Sequence, residues 1–273
     1  MRRFHFKLSF MIENIFSTIY TVEKYTKNIL IYKGDFMTDT PDSENPLYDR
    51  SIKCLLCEFT FKTKKVRSKF KRAGELDTDF FTDYLQEDAN PLLYYINVCP
   101  SCGYAFSDEA STYFLPGVKE KLFDNITRRW RGQSHYGDVR SNKTAIDSYK
   151  LAILSGSLKN EKPLAMAGIL LRLSWIYRIE QNLDQEKRFL RHAVEAFEKS
   201  YYEGDLKNSK LSTIRLLYLM GELYRKLDNP NKAIVYFSKV ISLKNQTKEK
   251  KFVEMAHDRW FQIREEQNRS TKD

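Results

Sequence analysis

Four cysteines in two C-x-x-C pairs constrain this chain more than any other feature. Cys54 and Cys57 form the first pair, Cys99 and Cys102 the second, and there is no fifth cysteine. A C-x-x-C turn points both sulfurs into the bend, so two such turns brought together supply a tetrahedral ligand set. The expected cofactor is one structural Zn²⁺ held by Cys54, Cys57, Cys99 and Cys102, with iron the lesser alternative. Sulfur fills all four positions of such a centre and leaves none for water or substrate, so it staples a fold rather than hydrolysing anything. The apolar stretch from Phe4 to Tyr20 is broken by His5, Lys7 and Glu13 and lacks a small-residue cleavage site, which argues against a secretory signal. Metal thiolates in a reducing cytoplasm are therefore expected, not disulfides. No run approaches the roughly 18 uninterrupted apolar residues of a membrane span.

Around the cysteines the chain divides into four parts. Residues 1–36 carry no turn chemistry and no clear amphipathic period. Met37-Thr38-Asp39-Thr40-Pro41 reads like a polar protein start, so 1–36 are expected to be a misplaced start or a disordered arm, with a membrane-surface arm as the alternative. Residues 37–115 form the cysteine module. Phe59 to Lys64 alternate like a strand, Tyr94 to Val98 form a second strand candidate, and Gly103 supplies the positive φ that turns backbone N–H groups toward the sulfurs. Two knuckles, each on a β-hairpin, make a zinc ribbon, and Val98 to Tyr104 resembles the second knuckle of ribbon and rubredoxin-like proteins. The first pair departs from that pattern, with Glu58 where such knuckles carry Gly. The 41 residues between the pairs also exceed the ribbon spacing of about 15–20, although lengthening a loop costs only roughly 0.6 kcal/mol per doubling.

A basic run follows the first knuckle: Lys62, Lys64, Lys65, Arg67, Lys69, Lys71 and Arg72, with Phe59, Phe61 and Phe70 interleaved. It can serve as a phosphate-tracking nucleic-acid surface with stacking positions, or as a lysine-protected strand edge. The acidic stretch Glu75, Asp77, Asp79, Asp83, Glu87 and Asp88 could neutralise this run in the fold. The net charge of +10 permits an anionic partner without requiring one.

Residues 116–267 change period from two to 3.6. Val118, Leu122, Phe123, Ile126 and Trp130 mark one helix face, and Ala145, Tyr149 and Ala152 another. Leu170-x-x-Leu173-Ser174-x-x-Tyr177 followed by Glu186, Leu190 and Ala193 then matches Leu217-x-x-Met220-Gly221-x-x-Tyr224 followed by Ala233, Phe237 and Val240. Every offset agrees over a period of 47 residues. The order resembles the tetratricopeptide repeat (TPR), whose usual period is about 34, with the extra length near Tyr201–Asp205. Met255, Ala256 and Trp260 suit a closing helix, and 268–273 read as a disordered tail. Stacked hairpins make a concave groove. By register, Leu171, Trp175 and Arg178 face it in one unit and Tyr218, Glu222 and Arg225 in the next, a set able to clamp an acidic or C-terminal peptide. The plainer account is a solvated helix surface.

No catalytic set assembles. His135, His192 and His257 are scattered, and there is no Gly-rich phosphate loop, G-x-S-x-G or H-E-x-x-H. From Pro46 to about Glu266 the chain resembles a bacterial family known as domain of unknown function 2225. The resemblance lies in the early C-x-x-C, Lys64 to Ser68, Asn90-Pro91-Leu92, the C-P-x-C-G-Y run from Cys99, and Asp258-Arg259-Trp260. It implies a bacterial cytoplasmic protein with a paired-cysteine module and TPR-like helices, and it supplies no activity, since the family has none assigned. The expected fold is α+β: a small zinc-ribbon-like β module followed by an all-α, TPR-like helical-hairpin array. The expected function is non-enzymatic, an adaptor or scaffold binding a protein or peptide in the groove. The alternatives are a nucleic-acid-associated ribbon and a rubredoxin-like iron electron carrier.

Overall fold

A computed structural model of the chain describes residues 45–133, 135–206 and 209–270. The expectations for residues 1–36 lie outside them. Three two-stranded antiparallel sheets come first: β1 (Leu47–Lys53) with β2 (Thr60–Val66), β3 (Ala73–Leu76) with β4 (Thr82–Tyr84), and β5 (Ile96–Val98) with β6 (Ala105–Ser107). In the first hairpin Leu47 faces Val66 and Lys53 faces Thr60; Phe61 and Thr63 turn inward from one face of β2, and Val66 is buried at its end. The second strand candidate is shorter than its hydrophobic run implies. Asn90 Oδ1 accepts from the Leu92 N–H and starts a 3₁₀ turn at Pro91, so the chain extends only from Ile96.

Seven helices follow: α1 (Val118–Asn125), α2 (Asn142–Lys159), α3 (Pro163–Ile179), α4 (Leu183–Glu203), α5 (Thr213–Lys226), α6 (Pro230–Ser242) and α7 (Lys250–Ser270). Their starts follow local chemistry. The side chains of Ser141, Asn182, Ser212 and Asn229 accept backbone N–H groups at the N-termini of α2, α4, α5 and α6. Pro163 and Pro230 occupy first-turn positions. The face read as continuous from Val118 to Trp130 breaks at Asn125, and Trp130 serves a different purpose described below. Helix α7 runs to Ser270, into the stretch expected to be disordered from residue 268.

The 47-residue period is visible in three dimensions. Tyr177 stacks on Phe189 at 5.4 Å, and Tyr224 stacks on Tyr236 at 5.7 Å, each pair tying one hairpin together. Both inter-helix turns pass through a left-handed residue, Gln181 and Asp228, and close with the same 2.9 Å bond, Asn182 N–H to Tyr177 O and Asn229 N–H to Tyr224 O. Ser174 and Gly221 hold equivalent crossing points, and a Cβ on Gly221 would lie 2.5 Å from the Phe237 ring. The fold class is thus α+β, a ribbon-like module joined to an array of helical hairpins.

The packing is continuous across both parts. One core cluster unites Leu47, Val66, Leu93 and Ile96 with side chains of α2 to α7, and a smaller one joins the cysteines to Val118, Leu122, Leu154 and Leu158. Arg140, buried just before α2, donates to the carbonyls of Tyr136, Leu93 and Ile96. Burial lowers its pKa to about 10. Among the described residues no helix is long and apolar enough to cross a membrane.

Candidate metal centre and groove

Each knuckle caps its own hairpin, and the two are built alike. In the first, the Cys54 N–H donates to Phe59 O and the Glu58 N–H to Cys54 O. In the second, the Cys99 N–H donates to Tyr104 O and the Gly103 N–H to Cys99 O. The departure at Glu58 is therefore one of sequence and not of shape, because Glu58 takes φ 63° where Gly103 takes 74°. Its carboxylate reaches back to Lys53 at 2.7 Å.

The four sulfurs lie within 4.8 Å of one another, with Cys54 to Cys102 at 3.7 Å and Cys57 to Cys99 at 3.6 Å. A tetrahedral thiolate centre with bonds of about 2.3 Å separates its sulfurs by about 3.8 Å, and a disulfide requires about 2.05 Å, so the spacing fits a metal ion and not two bridges. Cys54, Cys99 and Cys102 are buried and Cys57 is exposed. The neighbouring Cys102 and Cys54 thiols favour the thiolate of Cys99 and hold it below the ordinary thiol range. The Cys54 and Cys99 sulfurs, then burial, push Cys102 far up. Four thiolates cannot share this space without a cation to balance them. A divalent ion bound by all four would supply that charge and fix the hairpins against each other. The geometry serves zinc and iron equally.

Sequence reasoning missed the clamp on the second knuckle. Trp130 Nε1 donates to Pro100 O at 2.8 Å, Thr127 Oγ1 donates to Cys102 O at 3.1 Å, and the Trp130 ring covers Gly103 so closely that a Cβ there would sit 2.6 Å away. Its spacing from α1 disguised Trp130 as one more residue of a helix face.

The basic run is divided by the fold. Lys64 pairs with Asp49 across the β1–β2 register at 2.9 Å. Lys65 donates to Tyr94 O at 2.8 Å, and burial lowers its pKa to about 8 against the pull of Asp108. Arg67 donates to Asn45 O and lies over the Tyr48 ring. Lys62, Lys69, Lys71 and Arg72 remain exposed. The acidic stretch that follows is divided as well.

Two of its carboxylates, Asp77 and Asp79, reach side chains of helices α3 and α5. The β3–β4 tip, Asp77 to Phe81, covers the residues expected to line an open groove. Arg178 donates to Asp77 at 3.0 Å, to Asp79 at 2.6 Å and to Glu186 at 2.7 Å. Burial works against its charge, but Asp79 and Glu186 hold the guanidinium protonated well above the ordinary range. Trp175 Nε1 donates to Asp79 at 3.2 Å, Lys226 to Asp77 at 2.7 Å, and Thr78 Oγ1 to Glu222 at 2.6 Å. Phe81 lies near Trp175 and under Arg178, and Phe80 sits between Tyr218 and Phe252. Arg225 turns onto Glu222 at 2.8 Å, so the two equivalent arginines do not form one clamp. Leu171, Tyr218 and Glu222 are buried beneath this layer. The signal that could have revealed it is charge matching, acidic Asp77 and Asp79 against Arg178 and Lys226, but a separation near 100–150 residues hides such pairs from any local pattern.

No curated protein and no solved structure matches the chain. A family described as an uncharacterized protein conserved in bacteria (DUF2225) matches residues 47–263, which include both knuckles, the clamp and the helical array. The chain belongs to this bacterial family.

Proposed function

We propose that the protein is a non-enzymatic, cytoplasmic interaction protein, with a structural zinc in the Cys54–Cys57–Cys99–Cys102 centre and a TPR-like groove that recognises an acidic segment of a protein partner. The zinc assignment rests on a closed, all-sulfur donor set with no open position. The observation that carries the recognition role is the Arg178 seat. On one helical face Trp175, Arg178, Tyr218, Glu222 and Lys226 converge on carboxylates, a hydroxyl and two aromatic rings. Charge-assisted fork bonds of this kind are the strong, directional contacts of peptide recognition.

Two measurements test it. Protein purified from its native host should be colourless and carry one equivalent of zinc; red, iron-loaded protein replaces the zinc assignment with an electron carrier. In a pull-down from native lysate, partners retained by the wild type should be lost from Arg178→Glu/Arg225→Glu, and an unchanged partner set overturns the groove assignment.

A further inference from the structure

The segment seated in the groove belongs to a hairpin with few other attachments. All four residues of β3 are exposed, as are Asp83, Leu85, Gln86 and Glu87, and among the described residues β3 and β4 pair with no other strand. The hairpin meets the rest of the fold mainly through its tip, with Tyr84 of β4 also packed against the core. Phe80, at that tip, has φ 67°, a left-handed conformation that bulky residues rarely adopt. The strain is offset by the seat its ring occupies, between Tyr218 at 5.9 Å and Phe252 at 5.8 Å. Asp79, a carboxylate with no exposed surface, is held by one guanidinium and one indole N–H from the helices. Such contacts, on a slender strained arm, are those of a ligand in a site more than of a strand in a core.

We propose that Asp77-Thr78-Asp79-Phe80-Phe81 is an internal ligand that occludes the groove, and that the partner is a protein presenting the same chemistry: an Asp-x-Asp turn followed by two aromatic residues. The inference rests on the groove reading above and specifies its ligand. The partner's first carboxylate takes Lys226 and Arg178, its second takes Arg178 and Trp175 Nε1, and its rings enter between Tyr218 and Phe252 and against Trp175. A tethered occupant acts at an effective concentration on the order of millimolar, so a free segment of equal affinity competes poorly until the arm is released. Occlusion thus sets a threshold that only a tighter or multivalent partner passes.

The test uses the full chain and a fluorescent peptide spanning residues 75–84. The released chain is Asp79→Asn/Phe80→Gly, in which glycine suits the left-handed turn and removes the anchoring ring while leaving every helix residue in place. Equal helix content and metal stoichiometry establish that this variant is folded, and Phe81→Ala in the same hairpin serves as a second release. The peptide should bind either released chain at least about tenfold more tightly than the wild type. That gain should vanish when Arg178→Gln is added, or when the peptide residues matching Asp77 and Asp79 become asparagine. Equal binding by folded released chains and wild type overturns the proposal and makes the hairpin a fixed part of the fold, with the lysate comparison still judging the groove by itself. A wild-type dimer that becomes monomeric on release overturns it differently, by placing the seat on a second copy.

Discussion

Glu58 and Gly103 hold equivalent corners of the two knuckles with nearly the same positive φ, yet only one of them is glycine. A side chain in that conformation is disfavoured relative to glycine, and the Lys53 ion pair on an exposed surface does little to offset it. Glu58→Gly is therefore expected to raise the midpoint of thermal unfolding of the metal-loaded protein. Gly103→Ala should lower stability by about 2–3 kcal/mol, because the new Cβ meets both the left-handed backbone and the Trp130 ring. Denaturant unfolding of the two variants beside the wild type checks both signs. The cysteine cluster was legible from spacing alone because C-x-x-C is a local signal. The Trp130 clamp was not, since an indole bonded to a carbonyl 30 residues earlier leaves no local trace.

Elements carry the 47-residue period more faithfully than single side chains do. The stacked pairs Tyr177–Phe189 and Tyr224–Tyr236, the capping asparagines and the left-handed turn residues all recur at one spacing, so each hairpin is the same object built twice. The crossing positions differ in tolerance. Gly221→Ala should cost about 1–3 kcal/mol despite alanine's better helix propensity, since Phe237 fills the space a methyl needs. Ser174→Ala should cost less than about 1 kcal/mol, as its hydroxyl bonds only within its own helix, to Leu171 O. Calorimetry on the pair would separate them; equal losses would mean the two crossings are packed alike. The hairpins were readable because their periodicity is dense and apolar. The helix contacts of the β3–β4 hairpin were not readable, for Asp77 and Asp79 pair with side chains that lie far along the chain.

At the scale of the molecule, the cysteine cluster and the helices share apolar packing through Leu154 and Leu158 of α2, while α3 to α6 belong to the larger core. Chelation at neutral pH should therefore act unevenly. Amide exchange is expected to accelerate in residues 47–66 and 96–130 while α3 to α6 keep their protection, and a uniform increase along the chain would contradict that division. Arg140 adds a temporal dimension to this arrangement. The carbonyls of Leu93 and Ile96, which flank the second hairpin, find their donor in a guanidinium that leaves the ribosome more than 40 residues after them. At about 5–20 residues per second, several seconds of synthesis separate the second knuckle from the side chain that completes its surroundings. The nascent ribbon is thus unfinished until the helical half begins to emerge, and its assembly is ordered by the direction of translation.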